Sequence, residues 1–509
     1  MNPRFENLPQ LLARANDTAI ALRAPQRPAL SYGGLRSAVA RIVAALNANA
    51  VGRNDRVAIV LPNGPEMAAC FVAVASGATA APLNPAYRAD EFEFYLTDLK
   101  AKALLVERGS QSASVAIAIR LGIPVLELIA GAAAGDISLA LPGAAGASLA
   151  DKEPVYAASD DIALILHTSG TTSRPKIVPL SHRNVCASAC NVRDTLQLSS
   201  KDCGLNIMPM FHIHGLIAGL LAPLAGGGTV YCSPGFNALK FFGWMNDAKP
   251  SWYTAVPTMH QTIVARADKS RDVIAANPLR FIRSSSSSIA PQVIAQIEAI
   301  FNAPLIESYG MTEAAHQMAS NPLPPAKRIP GSVGVAAGPQ VAIMDNAGLL
   351  LNRGETGEIV IRGPNVSAGY ENNDRANADA YCDGWFRTGD QGVLDSEGYL
   401  SITGRLKEII NRGGEKISPR EVDEILMDHP AVAQAVTFAV PHDKLGEDVA
   451  AAVVLREGAS ASERELRDFV ASRVADYKVP RKIVLLDEIP KGATGKLQRI
   501  GLARKLGLA

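Results

Sequence analysis

The 509-residue sequence lacks an excess of charge of either sign: 50 basic residues stand against 49 acidic ones, for a formal net charge of +1. That balance argues against the broad electrostatic footprint of a nucleic-acid or membrane-surface binder, so an anionic ligand must be held by local groups. Cysteine is scarce. Cys70, Cys186, Cys190, Cys203, Cys232 and Cys382 form no CxxC pair, which argues against a disulfide framework and fits a reducing compartment. Cys186 and Cys190 fall four apart, on one face of a helix, without a metal-site pattern. No apolar run reaches the roughly 18 residues of a membrane-crossing helix. The opening MNPRFENLPQLLARAND has no apolar leader core and the closing LGLA is no peroxisomal address, so a soluble cytoplasmic protein is expected. Also missing is the Walker A spacing, GxxxxGK followed by Ser or Thr, which excludes the common phosphate loop built on a helix N-terminus.

What is present is a phosphate-gripping loop of another kind. The apolar run Ile162 to Leu166 predicts a buried strand, and it opens into LHTSGTTSRPKIVPL, residues 166–180. Gly170 lets backbone amides approach a polyphosphate, Thr168, Ser169, Thr171 and Thr172 supply hydroxyl donors, and Lys176 supplies one cation. Upstream, short apolar runs alternate with helical patterns. Strands are predicted at 56–61, 79–83 and 103–106 and a helix at 65–77, the pattern of layered α/β sheets with largely parallel strands. Residues 131–150, rich in Gly and Ala, read as a low-complexity surface excursion. Past Pro330 the text turns to short strands and tight turns at 341–344 and 357–362, a β-rich subdomain of about 330–404. The last hundred residues restart an independent pattern: a helix from Pro419, strands at 435–440 and 449–455, and a helix over 463–475. The boundary is placed at 404/405. On length alone, at roughly 150 residues per domain, more than one domain is expected.

Several further segments carry polar groups in apolar surroundings. MPMFHIHG, 208–215, holds His212 and His214 two apart, on opposite faces if the segment is extended. Five serines, 284–288, follow a strand predicted at 279–282 and precede a helix that starts near Pro291; Ser286 is the one expected to face a ligand. The segment IESYGMTEAAHQMASN, 306–321, carries Glu313 and His316. WFRTGD ends on Asp390, TGR on Arg405, RGGEKISP holds Gly413, Gly414 and Lys416, and PKGATGK ends on Lys496.

In this order and spacing, the phosphate loop, YGMTE, TGD, GR, RGGEK and PKxxxGK resemble the motifs of the adenylate-forming superfamily, which contains acyl-CoA synthetases, luciferases and peptide-synthetase adenylation domains; within it the HQMASNPLP stretch is most similar to the oxalate:CoA ligases. The likeness covers nearly the whole chain. It implies a large N-terminal α/β domain with a β-rich subdomain, a small mobile C-terminal α+β domain, and ATP, Mg²⁺ and coenzyme A as reactants. It implies that Glu307, Ser308, Tyr309, Gly310, Met311 and Thr312 lie along the nucleotide, with Tyr309 stacked on adenine and Thr312 on the α-phosphate. Glu313 would hold Mg²⁺, Asp390 the ribose, and Arg405 the ribose or phosphate. Lys407 would be the interdomain hinge, Gly413, Gly414 and Lys416 the coenzyme A contacts, Lys496 the catalytic cation, and His212 a group controlling access at the carboxylate pocket.

The substrate expectation rests on polar groups where fatty-acyl and aryl relatives have apolar ones. His214, His316 and the serine loop point to a very small diacid, with oxalate preferred and malonate, one methylene longer, as the alternative. A peptide-synthetase adenylation module would need a carrier domain or partner, and only 13 residues follow Lys496, which disfavours a fused carrier; a stand-alone amino-acid adenylation enzyme is the less favoured alternative. A dead nucleotide sensor is disfavoured because the lysine and the magnesium carboxylate are both present. Either a monomer or a homodimer is compatible with the sequence.

Overall fold

The computed structural model describes residues 4–140, 153–168, 175–490 and 499–509. Among these, four sheets form. A seven-stranded sheet runs in the order Ile137–Ala140, Val125–Ala130, Ala103–Glu107, Arg56–Val60, Thr79–Pro82, Ile162–Thr168 and Lys176–Ser181. Its interior pairs are parallel and its two edge pairs antiparallel. A nine-stranded sheet runs Val335–Ala336, His316–Ser320, Leu305–Met311, Phe281–Ser284, Trp252–Ala255, Cys203–Asn206, Thr229–Cys232, Ile20–Arg23 and Leu30–Ser31, again parallel at its centre.

The helix Pro65–Gly77 shows why these sheets lie together. Proline opens it, and every residue except Glu66 is buried, as expected of a helix apolar all round. It touches Thr79–Pro82 and Ile162–Thr168 of one sheet and Thr229–Cys232 of the other, so it lies inside the largest core, which spans both sheets. Helix His182–Thr195 buries both Cys186 and Cys190 in the same way.

The third sheet, antiparallel throughout, joins Gln340–Met344, Thr356–Arg362, Trp385–Leu394, Tyr381–Cys382 and Leu400–Arg405. The fourth contains Glu415–Ile417, Ile410–Arg412, Gly446–Leu455, Val432–His442 and Lys482–Leu485, backed by helices Pro419–Met427 and Glu463–Ala471 around a core of its own.

The sequence reading needs three adjustments. The strand expected at 279–282 is Phe281–Ser284, so it carries Arg283 inside the sheet. The helix expected over 463–475 ends at Ala471. Within the stretch read as a surface excursion, Ile137–Ala140 pairs as an edge strand and Ala134 and Ile137 are buried. No helix among the described residues is long and apolar enough to cross a membrane.

Candidate active site

The carboxyl ends of Ile162–Thr168, Phe281–Ser284 and Leu305–Met311 open on one cavity of about 920 Å³, the usual place for a ligand in a parallel α/β sheet. It is lined by Thr168, Lys176, His212, Ser286, Glu307, Ser308, Tyr309, Gly310, Met311, Thr312, Glu313, His316, Asp390, Arg405 and Lys407, all singled out in the sequence. His214 stands behind this lining, bonded to Ser286. Gly413, Gly414 and Lys416 do not line it: they are exposed on the hairpin between Ile410–Arg412 and Glu415–Ile417, with Gly413 at φ 58° and Gly414 at φ 100°. Ser169, Gly170, Thr171, Thr172 and Lys496 lie outside the described residues.

One wall is the hairpin formed by Leu305–Met311 and His316–Ser320. The strands approach so closely that a Cβ on Gly310 would stand 1.6 Å from the His316 carbonyl oxygen, so only glycine serves there. The return passes through Ala315 at φ 46° and His316 at φ 104°. A non-glycine residue held there costs on the order of 1–3 kcal/mol, a strain that concentrates at functional sites. Between the strands, the turn Thr312–Ala314 buries Glu313. Its carboxylate accepts a 2.8 Å hydrogen bond from the Tyr370 hydroxyl, and burial raises its pKa. The Lys176 ammonium lies 4.2 Å from the Tyr370 ring centre. Burial, then the Lys407 charge, lower the Lys176 pKa.

At the nucleotide-like end, Asp390 sits on Trp385–Leu394 directly opposite Arg405 on the neighbouring strand. Arg405 Nε donates to Asp390 Oδ1 at 2.8 Å, and the Tyr309 hydroxyl donates to Oδ2. Asp390 is buried, and its backbone N–H donates to Thr388 Oγ1 at 3.1 Å. A carboxylate has about four acceptor sites, so each oxygen keeps capacity for one further donor.

The opposite end is built around two histidines. His214 does not lie in an extended segment; it begins a π-helix, His214–Leu221, a rare form found mostly at functional sites. Its Nδ1 is 3.1 Å from Ser286 Oγ and its Nε2 is 2.6 Å from Thr254 Oγ1. The His316 ring stacks on it, centroids 4.9 Å apart at 23°. Both histidines are 2 % exposed. Burial, reinforced by Arg283, lowers the His316 pKa well below the ordinary histidine value. Ser286 takes the left-handed φ of 74° that turns its side chain to His214. Ser285 and Ser308 instead bond backbone carbonyls across the two strands, at 3.0 and 3.2 Å.

Three site residues escaped the sequence reading. Arg283 and Thr254 sit in apolar strands behind the histidines, and Tyr370 lies 57 positions from the glutamate it contacts. The strand expected at 279–282 stops one residue short of Arg283, so its burial inside the sheet gave no signal in the sequence.

Comparison with known proteins covers nearly the whole chain. The AMP-binding enzyme family model matches residues 11–371, and the model for the C-terminal domain of AMP-binding enzymes matches 421–496. A probable CoA ligase of Humulus lupulus is 45 % identical, aligned over 92 % of this chain and 90 % of its own. An oxalate–CoA ligase of Arabidopsis thaliana is 42 % identical over 94 % of this chain and 96 % of its own. The ATP-bound MatB from Rhodopseudomonas palustris superposes with a TM-score of 0.89 at 29 % identity, covering 99 % of both chains.

Proposed function

Because the chain belongs to the AMP-binding enzyme family, we propose that it is an ATP-dependent acid:CoA ligase acting on oxalate. The observation that carries the acid assignment is the closed end of the cavity. There Ser286 lines the cavity beside the buried pair His214 and His316, and an apolar acyl chain would offer no hydrogen bond to Ser286 or to His316 Nε2.

In the first step an oxalate oxygen attacks the α-phosphorus of ATP, the bond to the β-phosphate breaks, and pyrophosphate leaves an oxalyl-adenylate. Two anions must be brought together while charge redistributes over phosphate oxygens, so catalysis is mainly positioning and electrostatics. Asp390 would take the ribose hydroxyls, Tyr309 would stack on the base, and Thr312 would meet the α-phosphate. Thr168, Ser169, Gly170, Thr171, Thr172 and Lys176 would hold the departing phosphates, and Lys496 would bridge carboxylate and α-phosphate. In the second step the thiolate of coenzyme A attacks the carbonyl carbon, the acyl–phosphate bond breaks, and AMP leaves with oxalyl-CoA.

Magnesium fits the residues present. Glu313 is buried, and among the described residues no cation stands within ion-pair distance of it, the Lys176 and Arg405 charges acting from further away. A hard cation held by one carboxylate and substrate phosphates suits that geometry. When bound it would supply charge neutralisation on the phosphate oxygens.

The two steps need different faces of the C-terminal residues. Residues 405–509 are proposed to turn about Lys407, which lines the cavity, withdrawing Lys496 and presenting Gly413, Gly414 and Lys416 to coenzyme A. The function is tested by supplying ATP, Mg²⁺ and coenzyme A with oxalate, malonate, acetate, a medium-chain fatty acid or coumarate, and following AMP and thioester. Turnover with oxalate and little with the others is expected. A preference for malonate or a monoacid would overturn the acid assignment and leave the adenylation chemistry standing.

A further inference from the structure

Arg283 is fully buried, and among the described residues its guanidinium has no carboxylate partner. Its relative exposure is 0 %, and among the described residues it enters no ion pair. Its neighbours are neutral: Nη1 lies 3.3 Å from His214 Nε2 and 3.5 Å from Thr254 Oγ1, and Nη2 lies 3.4 Å from Gln317 Oε1. Gln317 is held in that orientation because its amide nitrogen donates to Thr195 Oγ1 and the Ala337 carbonyl. The Arg283 Nε and the Ser284 hydroxyl, both buried, have no hydrogen-bond partner. A buried charge without a counter-ion is costly, and burial pushes this guanidinium's pKa down to about 9.

The direction of the hydrogen bonds says what the charge acts on. A guanidinium only donates, so His214 Nε2, facing both Arg283 and the Thr254 hydroxyl, accepts and carries no hydrogen. The His214 proton therefore sits on Nδ1 and is donated to Ser286 Oγ at 3.1 Å. That leaves the Ser286 hydroxyl hydrogen free to point into the cavity it lines. The chain of donors runs one way, from Arg283 through Thr254 and His214 to Ser286. His316, stacked on His214, also faces the same positive charge.

We propose that Arg283 is the specificity-determining positioning residue of the acid end: it fixes His214 as an Nδ1–H donor, polarises the relay to Ser286, and leaves an unneutralised positive charge that only an acid with a second carboxylate matches. This rests on the oxalate reading and deepens it. The proximal carboxylate of any acid is consumed at the α-phosphate, and the distal carboxylate of a diacid is the counter-charge that Arg283 lacks. Arg283 does not touch the substrate; it acts through the hydroxyl and the imidazole.

The test compares oxalate with acetate in the full-length protein, using kcat and KM for AMP release in wild type, Arg283→Met, Arg283→Lys, Thr254→Val and Thr254→Ser. In Arg283→Met the ratio of kcat/KM for oxalate over acetate is expected to fall by at least about tenfold, mainly through KM for oxalate, because the distal carboxylate loses a positive charge whose attraction acts beyond contact distance in a low-dielectric interior. Arg283→Lys recovers part of it by restoring charge. Thr254→Val lowers the ratio and Thr254→Ser restores it, and this pair decides the matter if the Arg283 variants do not fold. Equal losses for oxalate and acetate, or Thr254→Val behaving as Thr254→Ser, would overturn the proposal while the oxalate reading stands. A wild-type protein that does not prefer oxalate overturns that reading, and the proposal with it.

Discussion

The two ends of the cavity are finished to different degrees. At one end Asp390 already holds Arg405 and the Tyr309 hydroxyl, and its charge is matched before any ligand arrives. At the other, among the described residues, Arg283 has no counter-charge, and Arg283 Nε, Ser284 Oγ and His316 Nε2 are buried without partners. Buried polar groups are normally satisfied, so such orphans call for an explanation. On the proposed function, the nucleotide end is preorganised by the protein and the acid end is completed by its substrate. A site completed by substrate discriminates strongly, because an acid that fails to pair the waiting groups leaves them unpaired.

The largest expected effect lies between the two ends. Lys496→Ala should lower adenylate formation, read by pyrophosphate exchange, on the order of 100- to 1,000-fold, as for loss of one transition-state donor. Thioester formation from supplied adenylate should survive; equal loss of both would contradict the two-conformation assignment of Lys496 and Lys407. Asp390→Ala attacks the preorganised end by stranding Arg405. It should raise KM for ATP by roughly 10- to 100-fold, the scale of losing a paired buried charge, and do so equally for every acid. His316→Leu attacks the other end and should leave KM for ATP near its normal value. It should cost about tenfold in kcat/KM for oxalate relative to malonate, within the discrimination of a pocket reshaped by one side chain.

The smallest effect is on stability. The His316 pKa is lowered by burial and by Arg283, so below the ordinary histidine value of about 6.5 the unfolded chain binds a proton that the folded chain refuses. Stability therefore rises with pH through that window and is lost as pH falls below it, with a slope of at most about 1.4 kcal/mol per unit for one proton. His182 and His260, both buried and lowered to about 4, act in the same direction. In denaturant titrations between pH 4.5 and 7, His316→Phe should flatten the dependence by about one proton. An unchanged slope would mean that His316 is not held neutral.

The same two ends explain what was legible in the sequence. Tyr309 sits on a strand that runs straight into the turn holding Thr312 and Glu313, and Asp390 and Arg405 fall opposite each other in adjacent strands. Such groups announce themselves as short motifs because local backbone geometry places them. Arg283, Thr254 and His214 come from three separate elements, and what joins them is side-chain distance across the sheet. A strand boundary placed two residues early left Arg283 outside the element it belongs to. The positive φ at Ser286 and His316 was likewise not legible, since no glycine marks either position. The Tyr370 contact to Glu313 depends on a loop packing back over the phosphate side, which no local pattern encodes.

The acid end is proposed to recognise a two-carbon dianion. This is tested most directly by competition: equal oxalate and malonate are supplied together with ATP, Mg²⁺ and coenzyme A, and the thioesters are quantified by mass spectrometry at early times. Oxalyl-CoA in large excess is the predicted result; malonyl-CoA in excess, or a mixture near parity, would contradict it.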